Sequence, residues 1–161
     1  MDRNRILASQ FRARVIVPVL GYLGAPFDSP AAIELLLGTA IQESGLLQLA
    51  QVPNGPALGV YQIEPATHDD VLTNFVAPRP SVQGRIRALA AATPDRDQQL
   101  VTNLAYATAI ARMIYFRAPD PLSSATDIAG LAAYWKAHYN TAGGAGTEAD
   151  FIANYHAFTG G

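Results

Sequence analysis

Between Ser29 and Gly45 the sequence marks both ends of a helix. Ser29 can cap the first turn with its side-chain oxygen, Pro30 suits the first helical position, and Gly45 suits the exit. At about 100° per residue, Ile33, Leu36, Leu37, Ala40 and Ile41 form one apolar stripe on a helix over Ala31 to Leu46, and Glu43 falls roughly 20° beyond its edge. A carboxylate is thus expected at the margin of a core-facing surface. Alanine-rich segments with this spacing recur along the chain and strand-like alternation is scarce, which predicts a mainly α fold with at most a small β-hairpin.

The same reading places the other elements. Pro53, Asn54, Gly55 and Pro56 predict an irregular loop or short hairpin over Gln48 to Leu58, followed by a short extended piece from Gly59 to Ile63. Pro65 opens a helix to about Phe75, and Pro78 and Pro80 break the chain before a helix from about Val82 to Ala92. Asp95 to Arg117, with Leu100, Leu104, Ala107, Ala111 and Ile114 at helical spacing, reads as one long central helix. Ser124 or Thr126 is expected to cap the next, running through Ile128, Leu131, Ala132 and Trp135 toward Tyr139. Gly143, Gly144 and Gly146 then form a turn, and Thr147 or Glu148 opens a last helix ending near Phe158.

At the N-terminus, Arg3, Arg5, Arg12 and Arg14 precede the apolar run Val15 to Gly24, as in a secretory signal. Pro18 interrupts that run, Pro26 would make a poor cleavage site, and the run is too short to span a bilayer. Residues 1–28 are therefore expected to form a helical segment packed on a single domain of 1–161, without stable membrane insertion. Charged residues make up 15% and the net charge is −2, so there is no basic field to draw nucleic acid. Cysteine is absent, and His68, His138 and His156 lack paired ligand spacing, so neither a metal nor another cofactor is expected.

Three strings stand in order along the chain: Gln42-Glu43-Ser44-Gly45, Gly59-Val60-Tyr61-Gln62-Ile63-Glu64-Pro65-Ala66-Thr67, and Tyr139-Asn140-Thr141-Ala142-Gly143. Glu-Ser alone recurs by chance; order and spacing carry more, including the sixteen residues from Glu43 to Gly59. Together the strings resemble the soluble lytic transglycosylase family of the lysozyme superfamily. That family has Glu-Ser at a helix end, then a Gly-Leu-Met-Gln-Ile-Met-Pro-Ala-Thr-like string, then Ala-Tyr-Asn-Ala-Gly. The resemblance spans roughly Ala31 to Gly146 and departs from the family at Tyr61 and Glu64, where methionine is usual.

The resemblance implies a lysozyme-like helical domain that cleaves the MurNAc-GlcNAc β-1,4 bond of peptidoglycan, with Glu43 as catalytic acid and Ser44 beside the substrate. Chemistry asks for the same residue type, because the leaving oxygen needs a proton from a carboxylic acid kept protonated by burial. Gly59 would let a sugar approach the backbone, Tyr61 would form a platform and Gln62 would supply an amide. Tyr139 would orient Glu43, and Asn140 would meet the N-acetyl group. Core packing is the competing role for Tyr61, Tyr139 and Trp135.

In the resembled family the acid, once deprotonated, takes a proton from the substrate's own 6-hydroxyl and leaves a 1,6-anhydro sugar. A muramidase would need a second carboxylate, for which Glu64 is the candidate. Asp69 and Asp70 read as complements to the first turns of their helix, His68 as a surface residue, and His138 as a neighbour of the cleft. A non-catalytic module that binds glycan or serves as a structural virion subunit is the rival class. The absence of a convincing signal or wall anchor points to a bacteriophage protein. It would be virion-borne, with tail or baseplate proteins as partners, or made in the host cytoplasm as an endolysin, and it would act on the cell wall.

Overall fold

A computed structural model describes residues 5–140 and 144–161. Arg3 and the glycine-turn position Gly143, with the Thr141 to Gly143 end of the third string, lie outside the described residues. The fold is mainly helical, as the spacing predicts, and among the described residues β pairing is limited to isolated antiparallel bridges, Ala50 to Leu58 and Leu58 to Ile63.

Helix α1 covers 8–23 as Ala8–Phe11, a widened π-helical turn at Arg12–Ile16, and Val17–Leu23. The widened turn ends two residues before Pro18, whose missing N–H and bulky ring interrupt an ordinary helical ladder. Phe11, Ile16, Leu20 and Leu23 are buried, so this segment is part of the core. Helix α2, Pro30–Ser44, begins where Ser29 Oγ accepts from the Ala32 amide at 3.2 Å and ends at Gly45 in the left-handed region. It is buried around most of its circumference rather than along one stripe. Its polar members are therefore paired: Glu34 with Arg12 and Tyr155, and Thr39 with Tyr115 at 2.6 Å.

Residues 59–63 form a tight turn instead of the expected extended piece. Gly59 and Gln62 both have positive φ, 74° and 47°, and the Gln62 amide returns to the Gly59 carbonyl at 3.0 Å. Pro65 opens α3, 65–76, composed of Pro65–Asp70 and a π-helical stretch Val71–Val76. Pro80 begins α4, Pro80–Leu89, since a proline at the first position gives up no needed hydrogen bond.

The expected long helix is divided at Asn103 into α5, Arg96–Thr102, and α6, Leu104–Phe116. Asn103 leaves the helical region, its side chain accepts from the Tyr106 amide at 3.0 Å, and it donates to the Leu89 carbonyl at 2.8 Å. That bond to α4 gives the chain an alternative to continuing the helix. Helix α7 covers 128–140, as Ile128–Trp135 and a π-helical turn Lys136–Asn140. Asp127 caps it, while Ser124 and Thr126 bond each other at 3.1 Å. Helix α8, Glu148–Thr159, starts with a reciprocal cap between Thr147 and Asp150. Helix α2 packs against α6, α7 and α8, and the buried side chains of all these elements join in one cluster.

Candidate functional site

Glu43 sits in the last turn of α2, at the edge of the core as its helical phase requires. Its Oε1 accepts a 2.8 Å hydrogen bond from the indole Nε1 of Trp135 on α7. Its Oε2 has no hydrogen-bond partner among the described residues and is not sealed from solvent. Trp135 is fully buried and packs on Phe151 of α8 with ring centroids 5.4 Å apart. The next residue, Lys136, is the chain's only lysine. Its Nζ donates to Asn140 Oδ1 at 2.7 Å, to the Gly144 carbonyl at 3.0 Å and to the Gly146 carbonyl at 2.7 Å. One ammonium thereby closes the last turn of α7 and ties the glycine loop beside Glu43.

Burial pushes the Glu43 carboxyl above the usual carboxylate range, against the opposing pull of the Trp135 N–H and the Lys136 charge. Burial pushes Tyr115 and Tyr139 well above the ordinary phenol value; at Tyr115 the Thr39 hydrogen bond opposes it, and the nearby Glu43 charge adds to it at both. They remain neutral hydroxyls beside Glu43.

The open side of Glu43 faces a cleft of about 580 Å³. Gln48, Gln51, Gln62 and Asn140 line it with amides, and Glu64 stands on it at the head of α3. Amides and few charges suit a neutral ligand rich in hydroxyl and amide groups. A larger groove of about 1050 Å³ runs between the start of α1 and the end of α8, but among the described residues its only carboxylate side chain, Glu34, has one oxygen held by Arg12 and the other by Tyr155. The smaller cleft holds the acid with an available oxygen. Among the described residues no group of three His, Asp or Glu side chains could hold a metal ion.

Of the residues singled out by sequence, Glu43, Gln62, Glu64, Tyr139 and Asn140 come together on this cleft. Ser44, Gly59 and Tyr61 do not line it. Ser44 is buried, donating to the Ala40 carbonyl at 2.9 Å and accepting from the Leu46 amide at 3.2 Å, so it finishes α2. The close approach at Gly59 is to α5: any Cβ there would overlap the Leu100 carbonyl oxygen. Tyr61 is fully buried with its hydroxyl 3.0 Å from Thr108, the packing role rather than a sugar platform. Tyr139 donates to the Tyr61 carbonyl at 2.6 Å and stacks on Tyr115, so Trp135, not Tyr139, holds Glu43. Gln62 donates to the Gly59 carbonyl at 2.9 Å, which fixes its amide at the cleft edge.

Four further expectations change. His68 is 1% exposed, bridging Asp97 and the Tyr106 hydroxyl at 2.7 Å each, and is no surface residue. His138 pairs with Asp120 at 3.1 Å away from the cleft lining. Asp69 and Asp70 lie past the first turn of α3, and Asp70 pairs with Arg117. Lys136, Gln48 and Gln51 were not foreseen; the lone lysine next to the lone tryptophan, one turn before Tyr139-Asn140, was the available sign for the first. No family model, curated protein or solved structure gives a significant match to this chain.

Proposed function

We propose that the protein cleaves the MurNAc-GlcNAc β-1,4 bond of peptidoglycan as a lytic transglycosylase, with Glu43 as its catalytic acid. The observation that carries this reading is the state of Glu43. It is a carboxyl raised by burial, with one oxygen held by a donor and the other free toward an amide-lined cleft. The motif resemblance supplies the substrate class, and the cleft's neutral polar lining is compatible with N-acetylated sugars.

In this reading protonated Glu43 gives its proton to the glycosidic oxygen as the C1–O bond breaks and the bonding pair leaves with that oxygen. The 6-hydroxyl of the same sugar closes on C1, and its proton returns to the Glu43 carboxylate. One acid is restored, no water is consumed, and the product is a 1,6-anhydro sugar. Lys136 and Trp135 stabilise the carboxylate that exists between the two transfers.

One observation favours hydrolysis as the second reading. Glu64 is exposed on the same cleft and makes no capping hydrogen bond, so its carboxylate is available to activate water. Digestion of purified sacculi with wild type and Glu43→Gln, read by mass spectrometry, decides. Products one water lighter than hydrolysis products, absent with the variant, support the transglycosylase. Reducing-end products lost with Glu43→Gln and with Glu64→Gln mark a muramidase. No soluble product from folded wild type sinks both in favour of a glycan-binding or structural module.

A further inference from the structure

The indole N–H of Trp135 can only donate, whereas a carboxyl can accept on either oxygen and carries its proton on one. In a neutral carboxylic acid the carbonyl oxygen is the better acceptor, so a fixed donor on one oxygen leaves the proton on the other. We propose that Trp135 is a positioning residue whose N–H occupies Oε1 of Glu43 in both charge states, so that the proton is given and recovered at Oε2, the oxygen open to the cleft. This assignment rests on the reading of Glu43 as a glycan-cleaving acid. It adds that acid and base work pass through one atom, without rotation of the carboxyl between the two halves.

Several features hold the donor in place. The indole is fully buried, Phe151 packs against it, and Lys136, next in sequence, fixes the turn that follows. A ring held this way cannot follow a rotating carboxylate, so the carboxylate stays with the ring. The titratable or charged groups around Glu43 are Lys136 and Tyr139 from α7, Tyr115 from α6, and Glu64 on the cleft at the head of α3. Only Lys136 carries a charge that favours the carboxylate, and it points its three N–H bonds at other acceptors. Trp135 is left as the group that chooses between the oxygens.

Because Trp135 is the only tryptophan, replacing the amino acid throughout the chain changes one site. Benzothienylalanine, with sulfur in place of N–H, keeps the ring's size and removes the donor, and Trp135→Phe provides a genetically encoded second variant. The side-chain carboxyl ¹³C resonance of Glu43, assigned with Glu43→Gln, gives the titration directly. Its midpoint is expected to rise in both variants, since a donor that favours the carboxylate is gone. On sacculi, kcat should fall roughly 10- to 100-fold with KM little changed, the mark of lost orientation rather than lost binding. An unchanged midpoint in the folded benzothienyl protein overturns the assignment whatever the activity. A raised midpoint in a protein whose wild type releases no glycan product overturns the glycan reading, and with it the proton transfers at Oε2, leaving only the Trp135 hydrogen bond to Oε1. Active wild type with unchanged midpoint and kcat in the isostere keeps the glycan reading and overturns the Trp135 assignment.

Discussion

Lys136→Met tests whether one ammonium both builds the cleft wall and tunes the acid. The side chain of Lys136 is half-buried and makes hydrogen bonds of 2.7, 3.0 and 2.7 Å to Asn140, Gly144 and Gly146. A hydrogen bond from a charged donor contributes about 1.5–3 kcal/mol. Three bonds sharing one nitrogen do not add, and loop carbonyls can turn to water, so the expected loss is about 2–4 kcal/mol in total. At this chain length that lowers the thermal midpoint by roughly 5–15 °C.

Urea unfolding measures the loss, and a second readout measures the tuning. Trp135, the only tryptophan, lies 2.8 Å from Glu43, so its emission should titrate with the Glu43 charge and stop doing so in Glu43→Gln. In Lys136→Met the emission midpoint should move up, because a charge favouring the carboxylate has been removed. Lys136→Arg should recover the charge effect but only part of the stability, since a planar fork cannot serve three acceptors gathered around one point. A stability change below about 1 kcal/mol together with an unmoved midpoint would refute the reasoning and make Lys136 an ordinary solvated cation.

Glu43→Gln should stabilise the protein at neutral pH by about 0.5–2 kcal/mol, the usual range for relieving a functional compromise. Folding raises the Glu43 pKa through burial, so wild-type stability is fullest below the unfolded-chain value and falls as pH rises through the folded one. The advantage of the variant should therefore shrink on acidification, which melting curves across pH will check. Gly59→Ala should lose about 2–5 kcal/mol from left-handed strain and overlap with the Leu100 carbonyl, in the absence of any glycan. Full stability in that variant would return Gly59 to a ligand role. Asn103→Ala, which removes a 3.0 Å cap and a 2.8 Å bond to Leu89, should lose about 1–3 kcal/mol in urea unfolding.

What was legible in the sequence was local. The limits of α2 follow from Ser29, Pro30 and Gly45, and the angular position of Glu43 follows from helical phase, so both could be placed without tertiary information. The division at Asn103 could not, because the apolar spacing runs across it unbroken and the break depends on a carbonyl of α4. His68 reads as a surface residue because its two partners, Asp97 and Tyr106, come from other helices. Gly59 reads as a place where a sugar approaches the backbone, whereas what stands there is the Leu100 carbonyl, a contact that no local sequence signal specifies. Likewise the donor on Glu43 lies 92 residues away, and nothing local distinguishes a buried tryptophan that packs from one that also holds a carboxyl.

The site's chemistry is thus set by how two helices dock. The acid comes from α2, while the donor and the cation that oppose its desolvation come from consecutive residues of α7, where the helix widens into its π-helical turn. Burial by itself would yield an acid too reluctant to ionise to act as a base afterwards; the donor and cation by themselves would yield an ordinary solvated carboxylate. In the proposed reaction Glu43 releases a proton and takes it back, which needs both in opposition, and α8 packs against α2 and, through Phe151, against Trp135. Because Trp135, Tyr139 and Asn140 also line the cleft, a shift of α7 along α2 would change the Trp135 bond and the cleft wall together.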